Sequence, residues 1–159
     1  MLKIFFTGFA LFFSTLSFAD DHNSPVGIWQ LVSYEVESQE TGNIFTPMGK
    51  KPTGYVILTA DNRISFVLTA DNRKPATSIE DKAKLLDTLI AYSGTYRIEN
   101  NQFITSVEVA WNPAWVGTEQ ARNFELEGDT LRILTPWRMM PNWPDAMTRS
   151  IVTFQAVKE

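Results

Sequence analysis

The chain has 159 residues, 44% of them hydrophobic and 13% aromatic, which suits one packed domain rather than a disordered segment. The formal net charge of −4 at pH 7, with no cluster of basic residues, argues against nucleic acid as a partner. Cysteine is absent, so disulfides and thiol nucleophiles are excluded, and the only histidine, His22, is too close to the N-terminus for a Ser-His scheme or a His-rich metal site.

The first 19 residues predict a secretory signal peptide. A positive charge at Lys3 precedes an apolar run, and Ser17-Phe18-Ala19 places small residues at the positions that a signal peptidase reads. A retained membrane anchor is the less favoured alternative, because the uncharged run is shorter than the ~20 residues that span a bilayer. We therefore expect cleavage after Ala19, a periplasmic or secreted protein without stable membrane insertion, a flexible leader over 20–25 and one domain over 26–159.

Cleavage at that point would expose the terminus Asp20-Asp21-His22. A free amine followed by two non-proline residues and a histidine can surround Cu(II) or Ni(II) with four nitrogens in square-planar geometry. The alternative is that His22 has no role within a flexible leader. The rest of the sequence predicts no metal site, and the lack of a phosphate loop or dinucleotide motif predicts no cofactor.

Short strands joined by turns dominate the remaining sequence. The predicted strands are 26–37, 44–45, 55–59, 63–69, 92–98, 103–110, 118–127, 130–135 and 147–157. Turn-forming residues separate neighbouring strands at 60–62, at Asn100-Asn101 and at Gly128-Asp129. The hexapeptide LTADNR occurs twice, at 58–63 and 68–73, but it does not recur, so it indicates turn-forming strand ends rather than a repeat or a metal loop.

One segment, 77–90, predicts a helix instead. Apolar residues recur there at helical spacing, at Ile79, Ala83, Leu86 and Ile90, and Thr77 and Glu80 fit a capping box. Eight or nine antiparallel strands with short links and one inserted α-helix predict an all-β, up-and-down antiparallel β-barrel. A β-sandwich is the alternative, although its Greek-key crossovers need longer links. An eight-stranded barrel is either filled by side chains or holds one small ligand.

Several motifs resemble a known family. Gly27-Ile28-Trp29 resembles the Gly-x-Trp signature of lipocalins, and Arg149 matches the arginine that packs over that tryptophan. The blocks GYVILTADNRISFVL, AYSGTYRIE and NPAWVGTEQARNFELEGDTLRILTP resemble the bacterial and fungal lipocalin-like domain family over most of 26–157. The chain departs from that pattern at 60–63, where Ala-Asp-Asn-Arg replaces Pro-Asp-Gly-Arg, and at 137–145, which is rich in Met, Trp and Pro. The resemblance implies a calycin-type barrel, whose relatives mostly bind small apolar molecules and in some branches isomerise or cyclise them.

The predicted strand 118–127 places a cation on an apolar face. Alternation predicts that one set of side chains faces inward, namely Thr118, Gln120, Arg122, Phe124 and Leu126. A buried cation costs several kcal/mol unless it is paired. Arg122 therefore needs either a protein carboxylate or the anionic head group of a ligand.

Aromatic residues and methionines flank this strand and predict where a ligand would enter. Trp111 and Trp115 are expected to cap one mouth of the barrel. A second flap is expected from Trp137, Met139, Met140 and Trp143, with a simple plug of the barrel end or a membrane-touching patch as alternatives. The predicted ligand-binding residues are Arg122, Gln120, Trp111, Trp115, Tyr96, Phe66, Phe124, Trp137 and Met139.

The candidates for acid-base chemistry are few. They are Glu108, Glu119 and Tyr96, but alternation places both glutamates on solvent-facing sides, so we predict no catalytic residue. The sequence thus predicts a secreted or periplasmic barrel that binds a small apolar or amphipathic molecule, with or without a carboxylate. A cofactor-free isomerase or cyclase and an interaction protein with a filled barrel are the alternatives.

Overall fold

The computed structural model describes residues 24–140 and 143–158, except the side chain of Trp143. The strands are β1 Gly27–Ser38, β2 Ile44–Phe45, β3 Thr53–Leu58, β4 Arg63–Thr69, β5 Leu89–Glu99, β6 Gln102–Ala110, β7 Glu119–Glu127, β8 Thr130–Leu134, β9 Arg138–Met140 and β10 Trp143–Ala156. Helix α1 spans Ile79–Asp87, and a 3-10 turn spans Pro113–Trp115. The signal-peptide and Cu(II) predictions lie outside the described residues. Within those residues, no helix is long and apolar enough to cross a membrane.

Eight of the strands form a closed antiparallel barrel. They pair in the order β1-β3-β4-β5-β6-β7-β8-β10, and β10 pairs back to β1. The two short strands are additions, β2 to β1 and β9 to β10. The sheet therefore closes on itself, which confirms the predicted barrel with one inserted helix and rules out the sandwich.

Large apolar side chains fill one half of the barrel. Phe124 stacks on Phe103 with ring centroids 4.2 Å apart, and Tyr96 meets Phe103 edge-on at 5.8 Å. Trp29, buried on β1, donates from Nε1 to the carbonyl oxygen of Pro25 at 2.8 Å. We call this half of the barrel the closed end. The open end is the other half, in which β1 finishes and β10 begins.

The turn residues behave as predicted. Asn62 and Asn72 occupy the same position in the two LTADNR copies, and both adopt a positive φ, 63° and 56°. Asn100 and Gly128 do so at the next two hairpin turns. Asparagine and glycine tolerate this left-handed conformation better than other residues, so the hexapeptide marks turns.

Helix α1 differs from its prediction at both ends. Its N-cap is Ser78, whose hydroxyl accepts a hydrogen bond from the backbone N–H of Asp81, so the predicted Thr77–Glu80 capping box is wrong by one residue. The helix ends before Thr88 because the chain there turns back into the barrel, which places Ile90 on β5. No residue of α1 is buried, and the predicted apolar stripe faces solvent, with Ile79 80% and Leu86 51% exposed.

The arginine–tryptophan contact implied by the lipocalin resemblance is wrong. Arg149 lies at the open end, where Nε pairs with Glu37 at 2.7 Å and the guanidinium carbon is 4.5 Å from the ring centroid of Trp137. Trp29 is paired in register with Ala156, which is separated from Arg149 by about 23 Å of extended strand. The two side chains therefore cannot meet.

The segment predicted as a flap contains a strand that the sequence pattern missed. Met139 pairs with Met147 and Arg138 with Thr148, which makes β9 a short partner of β10. Three residues are too few for an alternating pattern to be recognised in a sequence.

Candidate ligand-binding site

A cavity of about 50 Å³ remains inside the open end of the barrel, which we call the barrel cavity. Its apolar walls come from Phe66, Ile90, Trp115, Ile133 and Val152, and its polar groups from Tyr34, Tyr92, Arg122, Thr135, Arg138 and Ser150. These residues lie on β1, β4, β5, β7, β8, β9 and β10, on the 3-10 turn before β7 and just after β8, so barrel closure is what brings them together.

Arg122 is the deepest charge in the cavity. Its Nη1 donates to the carbonyl oxygen of Ala121 at 2.8 Å, and its Nη2 donates to Oε1 of Gln120 at 2.9 Å. Burial lowers the pKa of the Arg122 guanidinium, since leaving water disfavours the charged form. Neither hydrogen-bond partner is a carboxylate, so within the described residues the cation is not neutralised.

A second cation and two phenols share the cavity. Arg138 lies at the exposed edge, and its charge acts both on Arg122 and on the hydroxyl of Tyr34. Burial raises the pKa of Tyr34, although its hydrogen bond to Ser150 and the two arginines oppose that shift. Burial likewise raises the pKa of Tyr92. Both phenols are therefore protonated at neutral pH and can donate hydrogen bonds.

The electrostatic character of the cavity is opposite to that of the whole protein. Two arginines line the cavity and none of the described residues that line it is acidic, whereas the chain carries a net charge of −4. The walls are aromatic, because Phe66 stacks on Tyr92 at 4.9 Å and Trp115 meets Tyr92 edge-on at 5.8 Å. The arrangement suits an anion that carries a flat apolar group.

Three of the predicted ligand-binding residues line the cavity, namely Arg122, Trp115 and Phe66. Two more support it from outside. Gln120 holds the Arg122 guanidinium, and Trp111 packs edge-on against Trp115 with centroids 6.1 Å apart. The indole Nε1 of Trp111 is buried without a hydrogen-bond partner among the described residues.

The other four predicted residues lie elsewhere. Tyr96 donates its hydroxyl hydrogen to the carbonyl oxygen of Thr59, and Phe124 belongs to the packed closed end. Trp137 packs under Arg149, and Met139 is 67% exposed on β9. The predicted ligand-binding residues thus divide into those that line or support the cavity and those that fill the core or lie on the outer surface.

The cavity also contains residues that the sequence analysis missed. Tyr92 lies four positions before Tyr96, a predicted ligand-binding residue, and alternation along the strand puts both on one face, so this pattern could have identified Tyr92. Tyr34 follows a β-bulge between Leu31 and Ser33, which shifts the alternation along β1 and conceals its orientation. Ser150 and Thr135 are small polar residues with no recognisable signal.

The carboxylates considered for catalysis are on the outer surface, as predicted. Glu108 forms two hydrogen bonds of 2.8 Å with Arg63, and Glu119 pairs with Arg97 at 2.6 Å. These hydrogen bonds lower the pKa of both carboxyls, which remain ionised, and neither residue lines the cavity. In the described part of the chain, no three His, Cys, Asp or Glu side chains are grouped as a metal site.

An eight-stranded antiparallel barrel with one inserted helix and a cavity at one end is a lipocalin-like architecture. The family model of the lipocalin-like domain matches residues 26–157, and the chain belongs to that family. A search of curated proteins found no match. A lipocalin-like barrel is generally a binder of small hydrophobic ligands.

Proposed function

We propose that this protein binds a compact amphipathic acid in the barrel cavity, with the acid group on Arg122 and the apolar part between the aromatic walls. One observation carries the proposal: Arg122 is half-buried against the aromatic walls of the cavity, and its hydrogen-bond partners are an amide oxygen and a backbone carbonyl oxygen. A buried charge without a counter-ion costs several kcal/mol. An anionic ligand would remove that cost.

The cavity volume supports a small ligand. About 50 Å³ is room for a few water molecules or a compact group, well below the ~300 to 1,000 Å³ of pockets that hold drug-sized ligands. A short-chain carboxylate, or a single-ring one that extends through the open mouth of the cavity, therefore suits the site better than a long-chain fatty acid. The signal-peptide pattern in residues 1–19 supports binding in the periplasm or outside the cell.

Binding is favoured over catalysis by the kinds of groups present. An isomerase or cyclase that works by removing a proton needs a base at the reacting carbon. The titratable groups that line the described cavity are two arginines and two phenols. The pKa of both phenols is raised, and none of the four groups accepts a proton at neutral pH.

The test compares an acid with the matching alcohol by isothermal titration calorimetry. We expect benzoate to bind at least about tenfold more tightly than benzyl alcohol, because a charge-assisted hydrogen bond contributes roughly 1.5–3 kcal/mol. Arg122→Met should abolish this preference. The matched control is Arg132→Met, since Arg132 is exposed and pairs with Glu125 on the outer surface. Equal affinity of the wild type for acid and alcohol, or no binding of either, would contradict the proposal.

A further inference from the structure

The hydroxyl group of Tyr92 is an unused donor in the barrel cavity. Tyr92 lines the cavity and is only 7% exposed, and its hydroxyl has no hydrogen-bond partner among the described residues. The other two inward tyrosines are partnered, because Tyr96 donates to the carbonyl oxygen of Thr59 and Tyr34 is bonded to Ser150. A hydroxyl that stays unpaired when water is excluded costs free energy. A ligand that enters the cavity is therefore expected to supply the missing acceptor.

The charges around the cavity place this hydroxyl away from the exposed edge. Burial raises the pKa of Tyr92, and the charge of Arg122 opposes that rise. Burial also raises the pKa of Tyr34, but there both Arg138 and Arg122 oppose the rise. Arg138, at the edge, thus acts on Tyr34 and not on Tyr92. From the edge inward, the order of polar groups is Arg138, then Tyr34 and Arg122, then Tyr92.

Aromatic packing holds the Tyr92 ring in place. Phe66 stacks on one side with ring centroids 4.9 Å apart, and Trp115 meets the ring edge-on at 5.8 Å. Because two large side chains fix the ring, the hydroxyl is a preorganised donor whose position need not change when a ligand binds.

Arg122 has donors left for a carboxylate. A guanidinium carries five N–H groups, and only two of them are used, by the carbonyl oxygen of Ala121 and by Oε1 of Gln120. The remaining groups can hold a carboxylate. Since Arg138 attracts the same anion, the carboxylate lies toward the exposed edge. The Tyr92 hydroxyl, on the inner side, then meets the ligand atom next to the carboxylate.

We propose that the ligand carries an acceptor oxygen on the carbon next to its carboxylate, as a 2-oxo acid does, and that the Tyr92 hydroxyl donates to that oxygen. The inference rests on the proposed function, because it takes the contact between Arg122 and the carboxylate as given. A 2-oxo acid of about three or four carbons is compact enough for a cavity of about 50 Å³. An acid without the second oxygen would leave the Tyr92 hydroxyl unpaired, so this residue determines specificity.

Isothermal titration calorimetry at neutral pH with pyruvate and methacrylate tests the proposal. Both probes are flat anions of the same shape, and a CH2 group of methacrylate replaces the 2-oxo oxygen of pyruvate. We expect the wild type to bind pyruvate at least about tenfold more tightly than methacrylate. Tyr92→Phe keeps the ring and should bind the two anions equally. Tyr96→Phe is the matched control, since Tyr96 is equally buried but bonded to Thr59 at the closed end, and it should keep the preference.

The possible results distinguish this inference from the proposed function. Equal affinity of the wild type for both anions, with binding lost in Arg122→Met, would overturn the inference and leave the proposed function intact. An equal loss of affinity for both anions in Tyr92→Phe would also overturn it, because the hydroxyl would then bind the carboxylate itself. Failure of the wild type to bind either anion would overturn both proposals. Thermal unfolding establishes that the variants are folded, and the comparison in the wild type decides the question if Tyr92→Phe is not.

Discussion

Individual residues have different roles at the two ends of the barrel. At the closed end they fill space, as Phe103 and Phe154 do when fully buried. At the open end Arg122, Tyr34 and Tyr92 bring polar groups into an aromatic cavity. This contrast separates residues whose loss should unfold the protein from residues whose loss should change what it binds.

Trp29 belongs to the first group. Trp29→Ala should lower the free energy of unfolding by about 3 to 5 kcal/mol, because it leaves a large void in a packed core. Urea denaturation measures this loss. Trp29→Phe keeps most of the packing but removes the hydrogen bond to Pro25, so it should cost less. A Trp29→Ala variant as stable as the wild type would show that this residue does not anchor the core.

Arg149 illustrates the limit of a sequence signature. The resemblance paired it with Trp29, but strand register places it beside Glu37 and Trp137 at the other end of the barrel. A residue's position on a strand can be read locally, whereas its partner depends on how two distant strands align.

At the scale of elements, β5 and β6 show why one strand residue must be glycine. A side chain added at Gly94 would overlap the carbonyl oxygen of Ser106, at the β-bulge where these strands change register. A Cβ there would push two paired backbones apart.

Gly94→Ala should therefore destabilise the barrel by about 3 kcal/mol or more, since backbone atoms cannot move aside as side chains can. Thermal unfolding monitored by circular dichroism measures the effect. Gly117→Ala is the control, because Gly117 has a positive φ but open space around its Cα, and it should cost only about 1 to 2 kcal/mol. Equal losses in the two variants would refute the steric explanation.

Helix α1 shows that a sequence pattern can predict an element without predicting what that element packs against. The spacing of Ile79, Ala83 and Leu86 correctly predicted a helix, but these side chains face solvent rather than the barrel. Helical periodicity determines which residues share a side of the helix, and only the path of the connecting segments determines what that side meets.

The whole molecule should respond to alkaline pH through the two phenols that line the barrel cavity. Burial raises the pKa of Tyr92 and Tyr34 above the usual value of about 10 in the folded state. As the pH rises, the unfolded chain therefore loses these protons first, which favours unfolding. Their contribution to stability is complete below about pH 10 and decreases above it.

Urea denaturation between about pH 9 and pH 11.5 measures this decrease. We expect the free energy of unfolding to fall less steeply in the double variant Tyr34→Phe/Tyr92→Phe than in the wild type. Tyr55→Phe is the matched control, because it also removes a phenol hydroxyl but does so at an exposed position on the outer surface. Identical slopes in the wild type and the double variant would contradict the explanation.

The sequence was sufficient for the barrel because its signals are local. Alternation marked the longer strands, Asn and Gly marked the turns, and short links left little choice but neighbouring antiparallel strands. The same alternation turned Arg122 inward and Glu119 outward, as the burial of β7 shows. These features depend on residues only a few positions apart, so they can be read without knowledge of the rest of the chain.

The barrel cavity required the folded chain. Which inward residues fill the core and which line a void depends on how far each strand extends and on the bulge that shifts β1 at Leu31–Ser33. Tyr34, Arg122 and Arg138 meet because strands remote in sequence align across the closed barrel, and Phe124 points inward yet stacks on Phe103 instead. Register is a property of pairs of strands, and the free energy that sets it comes from packing across the whole interior, which no single segment encodes.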